Sequence, residues 1–146
     1  MEFVRMNETH VEAVATLEAE CFSMPWSARS IAGELTNPLS LWIVAMDGQK
    51  VVGYVGSQSV MGEADMMNLA VTSRYRRQGI GRELVQELVA QLNACDVRSL
   101  TLEVRATNQP AIALYEGMDF IQVGRRPNYY TNPKEDALIL RKEWEV

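Results

Sequence analysis

The sequence predicts an α/β fold in which a mixed, mostly antiparallel sheet of about seven strands is combined with about four helices. Asp47 and Gly48 separate two apolar runs, which is a strong signal for an antiparallel hairpin. After Gly81, apolar residues recur at the spacing of one helix face. The following run, residues 99–106, alternates apolar and polar residues and predicts a strand. A strand, a helix and a strand in this order favour a parallel pair.

Composition and charge limit the class of protein. The 146 residues fit one domain, residues 1–146, and 47% of them are hydrophobic. Because no long apolar run and no secretion signal is visible, we expect a cytoplasmic protein without membrane contact. The net charge of −5 argues against direct binding of nucleic acid. Cys21 and Cys95 lack metal-ligand spacing, so we expect two buried thiols and no metal. We expect the protein to be a monomer or weak dimer.

Capping and turn signals divide the chain into elements. Thr9 and Glu12 have capping-box spacing before the first helix, which leaves His10 at the surface. Pro25 interrupts that helix, and Ser27 can cap a second, short one. The polar and aromatic stretch at 127–135 is predicted to separate the last two strands. The predicted strands cover residues 2–6, 41–46, 50–60, 63–71, 99–106, 120–126 and 136–142, and the predicted helices begin near residues 9, 28, 81 and 110.

A basic, glycine-bearing loop lies within residues 68–82, between a strand and a helix. Unpaired backbone N–H groups at the helix start, together with Gly79 and Gly81, favour a phosphate-bearing ligand. Arg82 follows the last glycine where a Walker A loop needs lysine, so nucleotide hydrolysis is disfavoured. The antiparallel strands that precede the loop do not fit a dinucleotide-binding fold.

Residues 76–81 read Arg-Arg-Gln-Gly-Ile-Gly and have the form R/Q-x-x-G-x-G/A. This pattern resembles the acetyl-coenzyme A motif of the GNAT acetyltransferases. Three further segments resemble the RimI branch of that family, which acetylates protein N-termini in bacteria: CFSMPWS (21–27), LEVRATNQPAIALYEGMDF (102–120) and NYYTNPKEDALIL (128–140). The resemblance covers nearly the whole chain, and it implies a GNAT fold whose parallel strands splay apart at the cofactor site.

The resemblance also implies how acetyl-coenzyme A is bound as co-substrate. Backbone N–H groups of the loop would hold the pyrophosphate, and the pantetheine arm would run along the end of the preceding strand. The implied cofactor-binding residues are Leu69, Ala70, Val71, Arg76, Arg77, Gln78, Gly79, Ile80, Gly81, Arg82, Asn108 and Tyr115.

Glu103 lies near the end of a strand beside this loop, where a carboxylate is well placed as a general base. From the pattern alone, the sequence fits equally well a solvated strand face on which Glu103 and Arg105 pair with neighbouring residues. By resemblance Glu103 is the base and Tyr115 is the acid. The chemistry of the attack on a thioester adds a backbone N–H near Val71 that would stabilise the oxyanion.

Two stretches are predicted to shape the acceptor groove. They are Met24, Pro25 and Trp26 on one side, and Tyr129 and Tyr130 on the other. The nearby acids Glu135 and Asp136 would suit a peptide start that carries positive charge, although core packing is the alternative for each aromatic ring. Pro127 departs from the family pattern and leaves the acceptor preference open.

The resemblance implies transfer of an acetyl group to a protein N-terminal amine, that of an alanine-starting small-subunit ribosomal protein. A GNAT enzyme that acetylates lysine side chains or small amines would share the whole cofactor site. The alternative from another class is a catalytically silent acetyl-coenzyme A-binding or ribosome-assembly module. The presence of both Glu103 and Tyr115 speaks against that alternative.

Overall fold

The computed structural model describes residues 1–144 and contains a seven-stranded sheet with four α-helices in that range. The strands are β1 (Glu2–Arg5), β2 (Ser40–Asp47), β3 (Lys50–Val60), β4 (Glu63–Val71), β5 (Ser99–Arg105), β6 (Ile121–Thr131) and β7 (Lys134–Glu143), and the helices are α1 (Val11–Cys21), α2 (Ala28–Glu34), α3 (Ile80–Ala94) and α4 (Gln109–Glu116). The sheet order is β1-β2-β3-β4-β5-β7-β6, and only β4 and β5 pair in parallel. The predicted fold class is confirmed.

The helices cover both faces of the sheet because alternate strand residues are apolar on both sides. On one face, Leu84 and Leu88 of α3 are fully buried in the same cluster as Ile43. On the other face, Val14 of α1 is buried with Trp42. Full burial of one such apolar side chain contributes about 1.5–3 kcal/mol, so the two clusters fix the strands between the helix layers.

The parallel pair separates soon after it begins. Pairing between β4 and β5 covers only residues 63–65 against 99–101, although both strands continue. In β4, a register shift against β3 leaves Met67 as an extra, bulged residue. The backbone edge of β4 beyond residue 65 therefore faces a gap at the centre of the sheet.

The cap of the first helix differs from the predicted one. Asn7 caps a short 3₁₀ turn, Glu8–His10, by accepting a hydrogen bond from the Thr9 N–H, and His10 Nδ1 accepts from the Asn7 N–H at 3.0 Å. The predicted capping box of Thr9 with Glu12 is wrong, and His10 is buried rather than at the surface. Burial lowers the pKa of His10, because the charged imidazole loses its hydration.

His10 should make the stability of the protein sensitive to mild acid. Its pKa in the folded state lies below the unfolded value of 6.5, so below pH 6.5 the unfolded chain binds more protons. We expect the free energy of unfolding, measured with urea, to fall as the pH is lowered from about 7 to about 5. His10→Gln keeps a capping-box acceptor without titrating. An equally steep fall in that variant would contradict this origin.

The last hairpin is longer than predicted. Strand β6 continues through the tyrosines to Thr131, so the stretch at 127–135 belongs largely to the strands instead of separating them. A register shift between Arg126 and Tyr130 hides the alternation of this segment. Asp136 holds the bulge by accepting from the Asn128 N–H at 2.9 Å and from Arg125 Nε at 2.7 Å.

The two cysteines were expected to be buried thiols, and this expectation is wrong. Cys21, at the end of α1, is only partly buried, and Cys95, just after α3, is exposed. Within residues 1–144, no group of three potential metal ligands comes together. In the same range no helix combines the length and apolarity required to cross a bilayer.

Candidate active site

A cleft of about 920 Å³ opens where β4 and β5 separate. The connection between α1 and α2 forms one wall, and the end of the β6–β7 hairpin forms another. Of the residues predicted for the site, the cleft brings together Met24, Trp26, Leu69, Glu103, Asn108, Tyr115, Tyr129 and Tyr130. The others, Pro25, Ala70, Val71 and residues 76–82, do not line it.

The end of β4 presents backbone groups to the gap at alternate residues. The Thr72 N–H donates to the Val52 carbonyl of β3 at 2.8 Å, so Val71 and Leu69 face the opposite edge. Ala70 faces β3, opposite Tyr54, and its backbone groups are not free. The Val71 carbonyl accepts from Arg76 Nε at 3.1 Å. The open groups are therefore the Val71 N–H and both backbone groups of Leu69.

The loop before α3 is shaped to receive an anion. Arg77 and Gly79 have positive φ angles of 64° and 79°, which turn the chain sharply into the helix. The backbone N–H groups of residues 77–82 have no hydrogen-bond acceptor within residues 1–144. A Cβ atom added at Gly79 would meet nothing within 4 Å, so the space in front of the loop is open. These donors lie at the positive end of the 15-residue helix α3.

Glu103 extends from β5 into the cleft, with its side chain 27% exposed. One oxygen, Oε1, lies 3.8 Å from Arg126 Nη2, and Arg126 also lies over the Tyr129 ring at 5.6 Å. The Glu103 carboxylate thus remains accessible from the cleft and forms an ion pair with Arg126. The pairing that was the alternative interpretation for Glu103 is present, but it does not remove the carboxylate from the cleft.

Tyr115 lies on the buried side of α4, with its ring edge-on to Phe120 at a centroid distance of 5.5 Å. Its hydroxyl lies 3.8 Å from the Met66 sulfur, a weak acceptor. Burial raises the pKa of Tyr115, so its phenol remains protonated at neutral pH. A protonated hydroxyl that borders the cleft can donate a proton to a more basic group.

Asn108 precedes α4 and does not share a helix face with Tyr115. It is the N-cap residue, and its Oδ1 accepts from the Ala111 N–H at 3.2 Å. Its capping role fixes the start of α4 beside the cleft. Asn108 and Tyr115 nevertheless both line the cleft.

Arg105 anchors the aromatic wall. Its guanidinium lies 4.3 Å from the Tyr130 ring centroid and donates to the carbonyls of Asn132 and Pro133 at the hairpin turn, at 3.2 and 2.9 Å. Burial raises the pKa of Tyr130 to about 12. The Tyr129 ring packs edge-on against Tyr130, so both rings are fixed at the cleft mouth.

The acids Glu135 and Asp136 were expected to face a cationic peptide, and the structure gives them other partners. Glu135 accepts from the hydroxyl and N–H of Thr107 and from Arg105, and the Thr107 hydroxyl is the main cause of its lowered pKa. The Asn128 N–H and Arg125 lower the pKa of Asp136. Neither carboxylate lines the cleft, so both serve the hairpin.

Glu18, a residue not predicted for the site, is completely buried behind the cleft wall. It lies on α1 within the apolar positions Val14, Leu17 and Cys21. A charged residue inside an apolar helix stripe was the signal that could have identified it, because such a group must find partners in the interior.

Comparison with known proteins identifies the family. Residues 11–120 match the model of the Acetyltransferase (GNAT) family. The chain is 36% identical over 137 residues to the ribosomal protein bS18-alanine N-acetyltransferase of Escherichia coli K12, with 92% of each chain covered. It is 31% identical over 144 residues to the N-alpha-acetyltransferase RimI of Mycobacterium tuberculosis, with 94% of this chain and 89% of that protein covered.

The structural comparison agrees with the sequence comparison. A crystal structure of the Escherichia coli ribosomal-protein-S18-alanine N-acetyltransferase superimposes with a TM-score of 0.90 at 33% identity, covering 99% of this chain and 94% of that one. The chain therefore belongs to the GNAT family of acetyltransferases and is an N-acetyltransferase of its RimI branch.

Proposed function

We propose that the protein transfers the acetyl group of acetyl-coenzyme A to the N-terminal amine of a protein that begins with alanine, a small-subunit ribosomal protein. The observation that carries the proposal is the convergence of Glu103, Tyr115 and the open edge of β4 on one cleft. The bS18-alanine N-acetyltransferase of Escherichia coli, related over 92% of the chain, supports the choice of acceptor.

The phosphate groups of acetyl-coenzyme A would bind at the loop before α3. The unpaired N–H groups of residues 77–82 and the helix dipole favour an anion there, and the exposed arginines Arg76, Arg77 and Arg82 add positive charge. The open space in front of Gly79 leaves room for it. The backbone groups of Leu69 and Val71 would then pair with the rest of the molecule along β4. When bound, acetyl-coenzyme A supplies an activated acetyl thioester.

The residues of the cleft divide the proton transfers between them. Glu103 would accept the proton of the incoming ammonium, directly or through water, so that the neutral amine can attack the thioester carbonyl. The Val71 N–H would donate to the oxyanion that forms. Tyr115, whose phenol is protonated at neutral pH, would donate a proton to the departing thiolate. This route requires no nucleophile from the protein, and partly exposed Cys21 need not react.

A protein N-terminus suits this base better than a lysine side chain does. The pKa of an α-amine is about 7.7–8.0, against about 10.4 for lysine, so less free energy is needed to remove its proton at neutral pH. The acceptor would enter between Met24 and Trp26 on one wall and Tyr129 and Tyr130 on the other. We infer that the reaction occurs in the cytoplasm, where ribosomal proteins are made.

The test is a comparison of acceptors with purified protein and acetyl-coenzyme A. A peptide with the free N-terminal alanine of the ribosomal protein should be acetylated, whereas the same peptide with a blocked N-terminus and an internal lysine should not. Spermidine serves as the small-amine control. Acetylation of spermidine or lysine alone would contradict the proposed acceptor, and binding of acetyl-coenzyme A without transfer to any amine would favour a silent binding module.

A further inference from the structure

Glu18 is a buried carboxylate with hydrogen bonds to three different parts of the fold. Its Oε2 accepts from the backbone N–H of Trp26 at 2.9 Å. Its Oε1 accepts from Asn68 Nδ2 at 2.6 Å and from the Tyr54 hydroxyl. One side chain of α1 thus joins the α1–α2 connection to both central strands, β3 and β4.

Two of these partners form the wall of the active-site cleft. Trp26 and Asn68 both line it, and Asn68 directly precedes Leu69, whose backbone faces the gap between β4 and β5. Asn68 also follows the bulge at Met67, so its position along the strand depends on the contacts that hold the bulge. The Glu18 carboxylate therefore joins the Trp26 segment to the strand whose edge borders the gap.

Burial of the Glu18 carboxylate costs hydration free energy that an apolar side chain at this position would not lose. Within residues 1–144, no lysine, arginine or histidine forms a salt bridge with Glu18. An unpaired carboxylate loses several kcal/mol of hydration on burial, which its three hydrogen bonds offset. An apolar residue would simply continue the stripe of Val14 and Leu17 on α1.

The Trp26 side chain reinforces the same connection. Its ring packs edge-on to Trp42 at 5.5 Å, and Trp42 stacks on Tyr54 at 5.9 Å. The segment before Trp26, from Phe22 to Met24, forms neither helix nor strand, and Met24 is 76% exposed. The hydrogen bond from the Trp26 N–H to Glu18 is therefore a principal backbone anchor of this cleft wall.

We propose that Glu18 is a positioning residue for the acceptor: it holds the Trp26 segment and Asn68 in register across the cleft without touching the reacting atoms. This proposal rests on the proposed function, because it assigns the Trp26 segment to acceptor binding. Loss of the carboxylate should weaken acceptor binding much more than binding of acetyl-coenzyme A, because the phosphate site lies at the loop before α3 and pairing with Val55 of β3 also holds Leu69.

The test is Glu18→Ala, with Glu34→Ala as the matched control. Glu34 is also a buried glutamate that receives three hydrogen bonds, from Trp42, Gln58 and Asn37, but it does not line the cleft, and it is linked to Trp26 through the Trp42 ring instead of through a backbone hydrogen bond. In Glu18→Ala we expect the KM for the alanine-starting peptide to rise about tenfold, as loss of hydrogen bonds to a charged group implies. The KM for acetyl-coenzyme A should stay within about twofold.

A second measurement does not depend on catalysis. The Trp26 amide should lose its protection from hydrogen exchange in Glu18→Ala and keep it in Glu34→Ala, as followed by NMR without substrate. If Glu18→Ala does not fold, Glu18→Gln keeps the side-chain volume and should raise the peptide KM about threefold, since it retains part of the hydrogen bonding.

Several results would overturn the proposal. Wild-type protection of the Trp26 amide in the Glu18 variant would do so whether or not the wild-type protein acetylates the peptide. Equal changes in the two KM values, or an equal change in peptide KM in Glu34→Ala, would show a general structural role instead. Failure of wild-type protein to acetylate any peptide while Trp26 loses protection would refute the proposed function and the acceptor role together, and would leave only the structural link intact.

Discussion

Replacing Glu103 with glutamine should lower kcat/KM for an alanine-starting peptide by about 10²–10³-fold at pH 7 without changing the affinity for acetyl-coenzyme A. The size of the loss follows from removal of a general base, which contributes roughly 10²–10⁴-fold. Glutamine keeps the length of the side chain but cannot accept the ammonium proton. The ion pair of Glu103 with Arg126 is also lost. Because Arg126 is largely exposed, this loss should lower the free energy of unfolding only slightly.

The dependence on pH distinguishes a base from a binding group. An α-amine with a pKa of about 7.7–8.0 is mostly protonated at pH 6.5 and mostly neutral at pH 9. The deficit of Glu103→Gln should therefore be largest at low pH and shrink as the pH rises. Glu63→Gln is the control. Glu63 begins β4, at the end of the strand away from Val71, and loss of its exposed carboxylate should leave the rate unchanged. If Glu103→Gln loses less than about twofold at pH 7, Glu103 is not the base.

Replacing Gly79 with leucine should weaken acetyl-coenzyme A binding by about 100-fold or more, measured by calorimetry, because the side chain would enter the space in front of the anion-binding loop. That loss corresponds to one or two hydrogen bonds to a charged group. The φ angle of 79° adds strain of about 1–2 kcal/mol, which lowers stability independently of the ligand.

A substitution at Gly62 separates the loss of stability from the loss of acetyl-coenzyme A binding. It has a φ of 83° in the turn between β3 and β4, and an added Cβ would lie 3.6 Å from its nearest neighbour, the Asp96 carbonyl oxygen. Gly62→Leu should therefore lose a similar amount of thermal stability while it binds acetyl-coenzyme A normally. Normal binding by Gly79→Leu would rule out the loop as the phosphate site.

Local signals in the sequence were sufficient for most of the fold. The Asp47–Gly48 turn fixes the β2–β3 hairpin, and the alternation of residues 99–106 identifies β5. Local sequence signals did not predict the structure correctly where a bulge or a competing cap interrupts the pattern. The bulge between Arg126 and Tyr130 shifts side chains relative to the pleat, so β6 does not show the period of a strand. The cap at Asn7 with His10 was hidden because Thr9 offers a competing signal at similar spacing.

The candidate site was predictable where it depends on one short segment. The loop around Gly79 and the strand end at Leu69 follow directly from motif and order, and Leu69 and Glu103 line the same cleft in the structure. Contacts between distant segments were not predictable. The engagement of Glu135 by Thr107 depends on how the last hairpin folds over β5, which no spacing in the chain reveals.

The β6–β7 hairpin lies at the end of the sheet, and β6 forms its outer edge with most side chains exposed. Thr131 and Asn132, near its turn, line the mouth of the cleft and belong to neither buried cluster. The loop at Gly79 and the end of β4, in contrast, continue into the packed core through α3. Substitutions at the β6–β7 turn should therefore alter one wall of the cleft at low cost to folding, whereas substitutions in the Gly79 loop should affect the stability of the whole domain.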